Sequence, residues 1–194
     1  MSQVRAVCVY CGSSNRVDES YRRAAHDLGI RLGSAGLRVV YGGGRVGLMG
    51  IVADAALSVG GEVIGIIPEH IQKLEVDHTG LTELHVVDSM HTRKRMMVER
   101  SDAFLVLPGG LGTLDEMFEI ITWRQLHLHD KPVIVVNVDG YWDPLRTLLR
   151  HMRDAGFAPP TSDGFVRFID RVEDVLPALR AAPEPVQPVV AGQL

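Results

Sequence analysis

Three short stretches carry residues whose types and spacing suit chemistry on a phosphorylated substrate. The first, "PGGLGTLDE" over Pro108–Glu116, follows the apolar run "AFLVL" with no polar spacer. Glycines at a helix start expose bare backbone N–H groups, and these together with the helix dipole attract an anion. A carboxylate beside such an anion, here Glu116, is placed to act on it. The same residues admit a mechanical reading, in which Thr113 and Glu116 form a capping box that opens a helix at 113. The second and third stretches, "YCGSS" (10–14) and "YGGGRVGLMG" (41–50), repeat the pattern of strand end followed by glycines and small hydroxyls. None is a P-loop, because no Gly-Lys-Ser/Thr follows.

A fourth stretch, "DSMHTRKRMMVERS" (88–101), reads as a helix with Arg93, Lys94 and Arg95 in its early turns. One or two of these cations are expected to meet the anion, and the pattern does not choose among the three. Gly42, Gly44 and Gly47 also satisfy G-x-G-x-x-G, with Glu69 about twenty residues on. That would suit a dinucleotide enzyme. The fingerprint belongs in the first β-α turn, however, and here it follows the second strand.

The elements that must carry these stretches alternate along the chain. Runs rich in Val, Ile and Leu at 4–10, 36–44, 61–68, 82–88, 102–110 and 131–137 read as parallel strands covered on both faces. Helical patterns fall at 20–34, 47–60, 89–101, 113–127 and 142–155, the last with Asp143 as N-cap and Pro144 at the first helical position. Asp170 and Glu173 predict a capping box for a short helix over 171–180. The expected fold class is therefore α/β, a Rossmann-like doubly wound parallel sheet with helices on both faces, in one domain over 1–180. The proline-rich segment 181–194 is expected to be a disordered tail. In such sheets ligands bind outside the carboxyl ends of the strands, where all three glycine turns lie.

Composition narrows the classes further. Of 194 residues, 46% are apolar and 23% charged, the profile of a globular protein with a real core. A net charge of −4, with only three lysines (Lys73, Lys94, Lys131), gives no footprint for nucleic acid or an anionic membrane. No apolar run approaches a membrane span, and the first residues enter a strand directly, so a cytoplasmic location is expected. Cys8 and Cys11 form a lone C-x-x-C whose first member sits in an apolar strand, which predicts inert thiols. His127 and His129 supply no second ligand pair, so no metal site is expected.

Taken together, "PGGLGTLDE", "CGSS", "YGGGRVGLMG", "MHTRKRMM", "ITWRQL" and "NVDGYWDPL" resemble, in the same order and over about residues 4–180, the LOG (Lonely Guy) family. These are cytokinin riboside 5′-monophosphate phosphoribohydrolases, and relatives have often been labelled lysine decarboxylases. The resemblance implies hydrolysis of an N⁶-modified adenosine 5′-monophosphate to free base and ribose 5-phosphate, without metal or cofactor, by a homodimer with sites near the interface. It implies Arg93 and Glu116 as the catalytic pair. It implies substrate contacts at Glu75, Arg93, Lys94, Gly110, Leu111, Gly112, Thr113, Leu114, Asp115, Glu116 and Thr122. To these the glycine-turn pattern adds Ser14, Gly43 and Gly44. Glu116 would orient a water as base or attack the anomeric carbon itself. The competing expectation from another class is a non-catalytic nucleotide or cofactor carrier on the same fold.

Overall fold

A computed structural model describes residues 4–72, 78 and 80–183. Seven strands form one sheet: β1 (Ala6–Tyr10), β2 (Arg38–Tyr41), β3 (Val63–Pro68), β4 (Glu83–Val87), β5 (Ala103–Val106), β6 (Val133–Val136) and β7 (Arg167–Ile169). Their order is β4-β3-β2-β1-β5-β6-β7, and every neighbouring pair is parallel. The helices are α1 (Glu19–Ser34), α2 (Gly47–Ser58), α3 (Glu69–Gln72), α4 (Met90–Glu99), α5 (Leu111–Gln125), α6 (Asp143–Asp154) and α7 (Val175–Arg180).

Alternation along β1 shows how one sheet serves two cores. Val7 and Val9 point to the layer with Leu28 and Leu32 of α1, Val52 of α2 and Leu179 of α7. Ala6, Cys8 and Tyr10 point to the opposite layer, with Met97 of α4, Ile120 of α5 and Leu145 of α6. A period of two sends successive side chains to opposite faces, so a sheet covered on both sides needs apolar residues at nearly every position. The doubly wound α/β fold expected from the strand–helix alternation is what the chain adopts.

Chain order reverses between β1 and β5, which puts the switch point of the sheet at their carboxyl ends. The two strands are in register there, Tyr10 beside Val106. The glycine turns after β1 and β5 therefore emerge side by side.

Several local expectations need correction. A seventh strand and the single turn α3 escaped the reading of 61–90 and 160–170, because each is too short to show a period. The helix expected from 113 begins at Leu111, with Gly110 as N-cap and no side-chain cap bond. Thr113 is thus the third helical residue and Glu116 lies in the second turn, so the two form no capping box. Gly110 has extended backbone, φ −98, and leads straight into the first turn, so no hydroxyl cap is needed to start the helix. Asp143 is likewise inside α6, whose N-cap is Trp142. Asp170 caps nothing, since a 3₁₀ turn over Val172–Asp174 precedes α7 with Arg171 at its N-cap. Ser89 does cap, accepting from the Thr92 N–H at the start of α4.

Cys8 and Cys11 are free and buried, and burial pushes both thiols well above the usual range. They project into opposite layers of the sheet, so they do not face each other. The tail expected from 181 lies, from 184 onward, outside the described residues.

Candidate active site

The three glycine turns are joined into one surface. The Gly12 N–H donates to the Pro108 carbonyl at 3.0 Å, and the Leu107 N–H to Tyr10 at 2.9 Å, tying the β1 turn to the β5 turn. The Leu48 N–H donates to the Gly12 carbonyl at 2.9 Å, and the Gly47 N–H to Asn15 Oδ1 at 2.9 Å, tying in the β2 turn. Gly47 has φ +69, and a Cβ there would run into the Ser13 backbone, so no other residue fits. Gly43 (φ +80) packs on Ile67 of β3, and Gly44 is buried beside it. Ser14 stays exposed and accepts from the Arg16 N–H at 3.1 Å.

On this edge α5 starts with the N–H groups of its first turn left free by helix geometry, and no side chain caps them. Leu111 is 86% exposed, and Gly110 and Gly112 have open space where a Cβ would stand. Thr113, by contrast, is buried and lies over Gly109.

Arg93 reaches the same edge from α4. Its guanidinium lies against Gly42, where any side chain would collide with it, and its Nε donates to the Ile66 carbonyl at 3.1 Å. Its Nη1 stands 3.1 Å from Glu116 Oε1, with both side chains only 12% exposed. Burial raises the Glu116 pKa above the ordinary carboxylate value, and the opposing attraction of Arg93 does not cancel that. A carboxylate held partly against ionisation and facing an arginine is the pattern expected of a working acid or base.

Lys94 bridges Asp115 Oδ2 at 2.7 Å and Glu119 Oε2 at 3.4 Å. Burial works against its ammonium, but the two carboxylates outweigh that and hold its pKa above the ordinary value. Arg95 turns outward and pairs with Glu99 at 3.8 Å along its own helix. Among the three cations it is Arg93 and Lys94 that meet α5.

Thr122 is not part of this centre. Six residues beyond Glu116, it lies about 9 Å further along the helix axis. It lines a separate groove of about 590 Å³ between α5, α6 and the approach to β7, with Phe118, Gln125, Leu149 and Phe168. Leu114 packs against the α4–α5 core layer instead of the open edge. Glu75 lies outside the described residues. Glu69 is exposed at the start of α3, directly after β3. Two contributors had no signal in their residue types. Asn15 ties two turns together through its side chain, and Tyr141 donates its hydroxyl to the Gly109 carbonyl at 2.6 Å. Only the fixed order "CGSSN" and "NVDGYW" marks their places.

A family model described as "Possible lysine decarboxylase" matches residues 49–179. The cytokinin riboside 5′-monophosphate phosphoribohydrolase of Rhodococcoides fascians is 43% identical over 178 residues, covering 91% of this chain and 90% of its own. The chain belongs to the LOG family. Another LOG relative, the cytokinin riboside 5′-monophosphate phosphoribohydrolase LOG3 of Arabidopsis thaliana, is 47% identical over 161 residues, covering 83% of this chain and 75% of its own.

Solved structures share the LOG fold at much lower identity. The molybdenum cofactor binding protein of Rippkaea orientalis matches with a TM-score of 0.71 at 22% identity, over 93% of this chain and 98% of its own. The molybdenum cofactor carrier protein of Chlamydomonas reinhardtii gives 0.69 at 19%, over 92% of this chain and 97% of its own. At such identity these show the fold alone.

The decarboxylase description asks for a lysine that can form a pyridoxal aldimine, which requires a neutral amine at a cavity. Neither described lysine fits. Lys94 is held protonated between two carboxylates, and Lys131 is buried, donating to the Val98 carbonyl at 2.8 Å and the Ser101 carbonyl at 2.5 Å. No group of three or more His, Cys, Asp or Glu side chains arranged for a metal occurs among the described residues.

Proposed function

We propose that this protein hydrolyses the N-glycosidic bond of adenosine 5′-monophosphates, N⁶-modified ones included, to the free base and ribose 5-phosphate. The observation that carries this is the Arg93–Glu116 pair, 3.1 Å apart and largely buried, beside three joined glycine turns. The names of its relatives in Rhodococcoides fascians and Arabidopsis thaliana support the same reaction.

The phosphate sits on the N–H groups at the start of α5, from Gly110 through Thr113, with the Ser14 and Gly43–Gly44 turns closing around the ribose. Binding energy from the phosphate, far from the bond that breaks, holds the sugar in place. As the C1′–N9 bond lengthens, positive charge grows on the ribose, and the Glu116 carboxylate stabilises it. Glu116, held beside Arg93 at the edge where the sugar docks, takes the proton of the attacking water. The hydroxide goes to C1′, the C1′–N9 electron pair leaves with the base, and the proton taken up by Glu116 passes to that base, which restores the carboxylate. Arg93, anchored by its Nε on the Ile66 carbonyl, orients the Glu116 carboxylate through the charge on its Nη1. Lys94 locks α4 to α5 through Asp115 and Glu119, which fixes the separation of the pair. A carrier on the same glycine edge would have no use for a carboxylate buried against its own charge.

Self-association completes the proposal. Thr122 and the apolar groove around it lie outside this chain's own centre, with Leu126 60% exposed nearby. A second copy seated on that groove buries it and brings the two sites close to the interface. No helix among the described residues is long and apolar enough to cross a membrane. Action in the cytoplasm is the reading that the two free thiols, Cys8 and Cys11, support. Incubation with N⁶-isopentenyladenosine 5′-monophosphate and chromatography for the free base test the activity, and light scattering tests the dimer. Intact nucleotide after prolonged incubation with folded protein would overturn the hydrolase assignment.

A further inference from the structure

The stretch "NVDGYWDPL" has no part in the reaction as described, yet the loop it forms is built with unusual care. Asp139 and Gly140 both adopt left-handed backbone, φ 52 and 72. Asn137 clamps the loop from both ends, its Nδ2 donating to Asp143 Oδ1 at 3.0 Å and its Oδ1 accepting from the Trp142 N–H at 2.7 Å. The consequence is to throw the Tyr141 side chain across the sheet edge. There its ring stands edge-on to Tyr21 of α1 at 5.5 Å and to Trp142 at 4.8 Å. Its hydroxyl donates to the Gly109 carbonyl at 2.6 Å.

That carbonyl belongs to the peptide joining Gly109 to Gly110. In a trans peptide the C=O and N–H point in opposite directions, so holding the oxygen toward Tyr141 sends the Gly110 N–H the other way. A peptide between two glycines is the easiest kind to flip, because a flip carries the following residue to positive φ and glycine tolerates it. Gly110 now has φ −98, the unflipped state. The neighbouring Pro108 carbonyl is already fixed by the Gly12 N–H, which leaves the 109–110 peptide as the free joint of the turn.

We infer that Tyr141 is a positioning residue: its hydroxyl holds the Gly109–Gly110 peptide in the orientation that presents the Gly110 N–H to a sugar phosphate. The inference rests on the proposed phosphate site at the start of α5, but not on cleavage of any bond.

The test is a double-variant cycle on the intact protein, read by calorimetric binding of ribose 5-phosphate. Tyr141→Phe keeps the ring contacts and removes only the hydroxyl. Loss of one hydrogen bond that sets a two-state orientation weakens binding by roughly 3- to 10-fold. KM for AMP rises by the same factor, kcat stays within about twofold, and thermal unfolding does not move. Gly110→Ala disfavours positive φ and so resists the flip by itself, and the space for its methyl is open. In the Gly110→Ala background, Tyr141→Phe should then cost less than about twofold. An equal loss in both backgrounds would mean that the hydroxyl touches the ligand directly, and the inference would fall. It would fall also if Tyr141→Phe left the affinity unchanged, or if the unaltered protein bound no ribose 5-phosphate. Binding without release of base would overturn the hydrolase assignment alone, and leave this cycle still decisive for Tyr141.

Discussion

Replacing Glu116 by glutamine separates catalysis from structure, because the fold leads to opposite outcomes for the two. Glu116 lies in the second turn of α5, caps nothing, and pairs with Arg93 at 3.1 Å while only 12% exposed. Burial raises its pKa, so the ionised form is disfavoured in the folded chain relative to the unfolded one. For a group whose folded pKa is raised, the favourable contribution exists at low pH and is lost as pH climbs through the folded value. At neutral pH the charge is therefore a net burden on the fold. Glutamine relieves that burden and leaves Arg93 Nη1 facing a neutral amide in place of a carboxylate. The two changes oppose each other, and unfolding free energy should shift by no more than about 1 kcal/mol in either direction. Were the pair present for stability, removing one partner of a buried ion pair would cost about 3–5 kcal/mol. Turnover should fall roughly 10²–10³-fold, the scale of losing a positioned charged group. Denaturant unfolding and kcat on the same preparation decide the matter. Normal kcat with a large loss of stability would return Glu116 to a structural role.

The remaining expectations are shorter. The acid limb of the kcat profile should lie above the ordinary glutamate value of 4.5, because Glu116 must be ionised to accept a proton and its pKa is raised; a limb below 4.5 would contradict this. His129 is buried, bonds to the Ile120 carbonyl at 2.8 Å, and burial pushes its pKa down to about 4 from 6.5. The unfolded chain then binds a proton that the folded one refuses. Stability should decline by up to about 3 kcal/mol as pH falls from about 6.5 to about 4, and His129→Gln should flatten that slope. Gly42→Ala places a methyl on the Arg93 guanidinium and should cut kcat/KM at least about tenfold with the fold intact, since a misplaced catalytic group is costly. Circular dichroism alongside kinetics checks it. Dialysis against a chelator should leave activity unchanged, and loss with rescue by a divalent ion would show that metal takes part.

The sheet was legible because β1, β3, β5 and β6 are buried at every position and read as near-continuous apolar runs. The same logic hid β7, whose three residues "RFI" include an exposed arginine, and α3, a single turn. At the site, the glycine turns could be placed on one edge because strand–helix alternation fixes which ends carry ligands. The choice of Arg93 and Lys94 over Arg95 could not be made from a run of three cations, since it depends on the rotation of α4 against α5. The expected capping box at Thr113 failed for a local reason: α5 starts two residues earlier, at Leu111, which makes Thr113 its buried third residue. Thr122 shares a helix with Glu116 but lines the groove toward α6, because six residues carry it further along the helix axis. Asn15 and Tyr141 act through backbone groups of other turns, and such pairings leave no periodic trace.

The most direct measurement is kcat/KM for AMP and for adenosine on the same enzyme, with free adenine and ribose 5-phosphate quantified together. If the glycine edge anchors phosphate and the Arg93–Glu116 pair breaks the bond, AMP yields both products in equal amounts and adenosine is cleaved at least about a hundredfold less efficiently, in keeping with the binding energy of a phosphate spent on catalysis. Comparable efficiency on the two substrates, or disappearance of AMP without free adenine, would contradict the account.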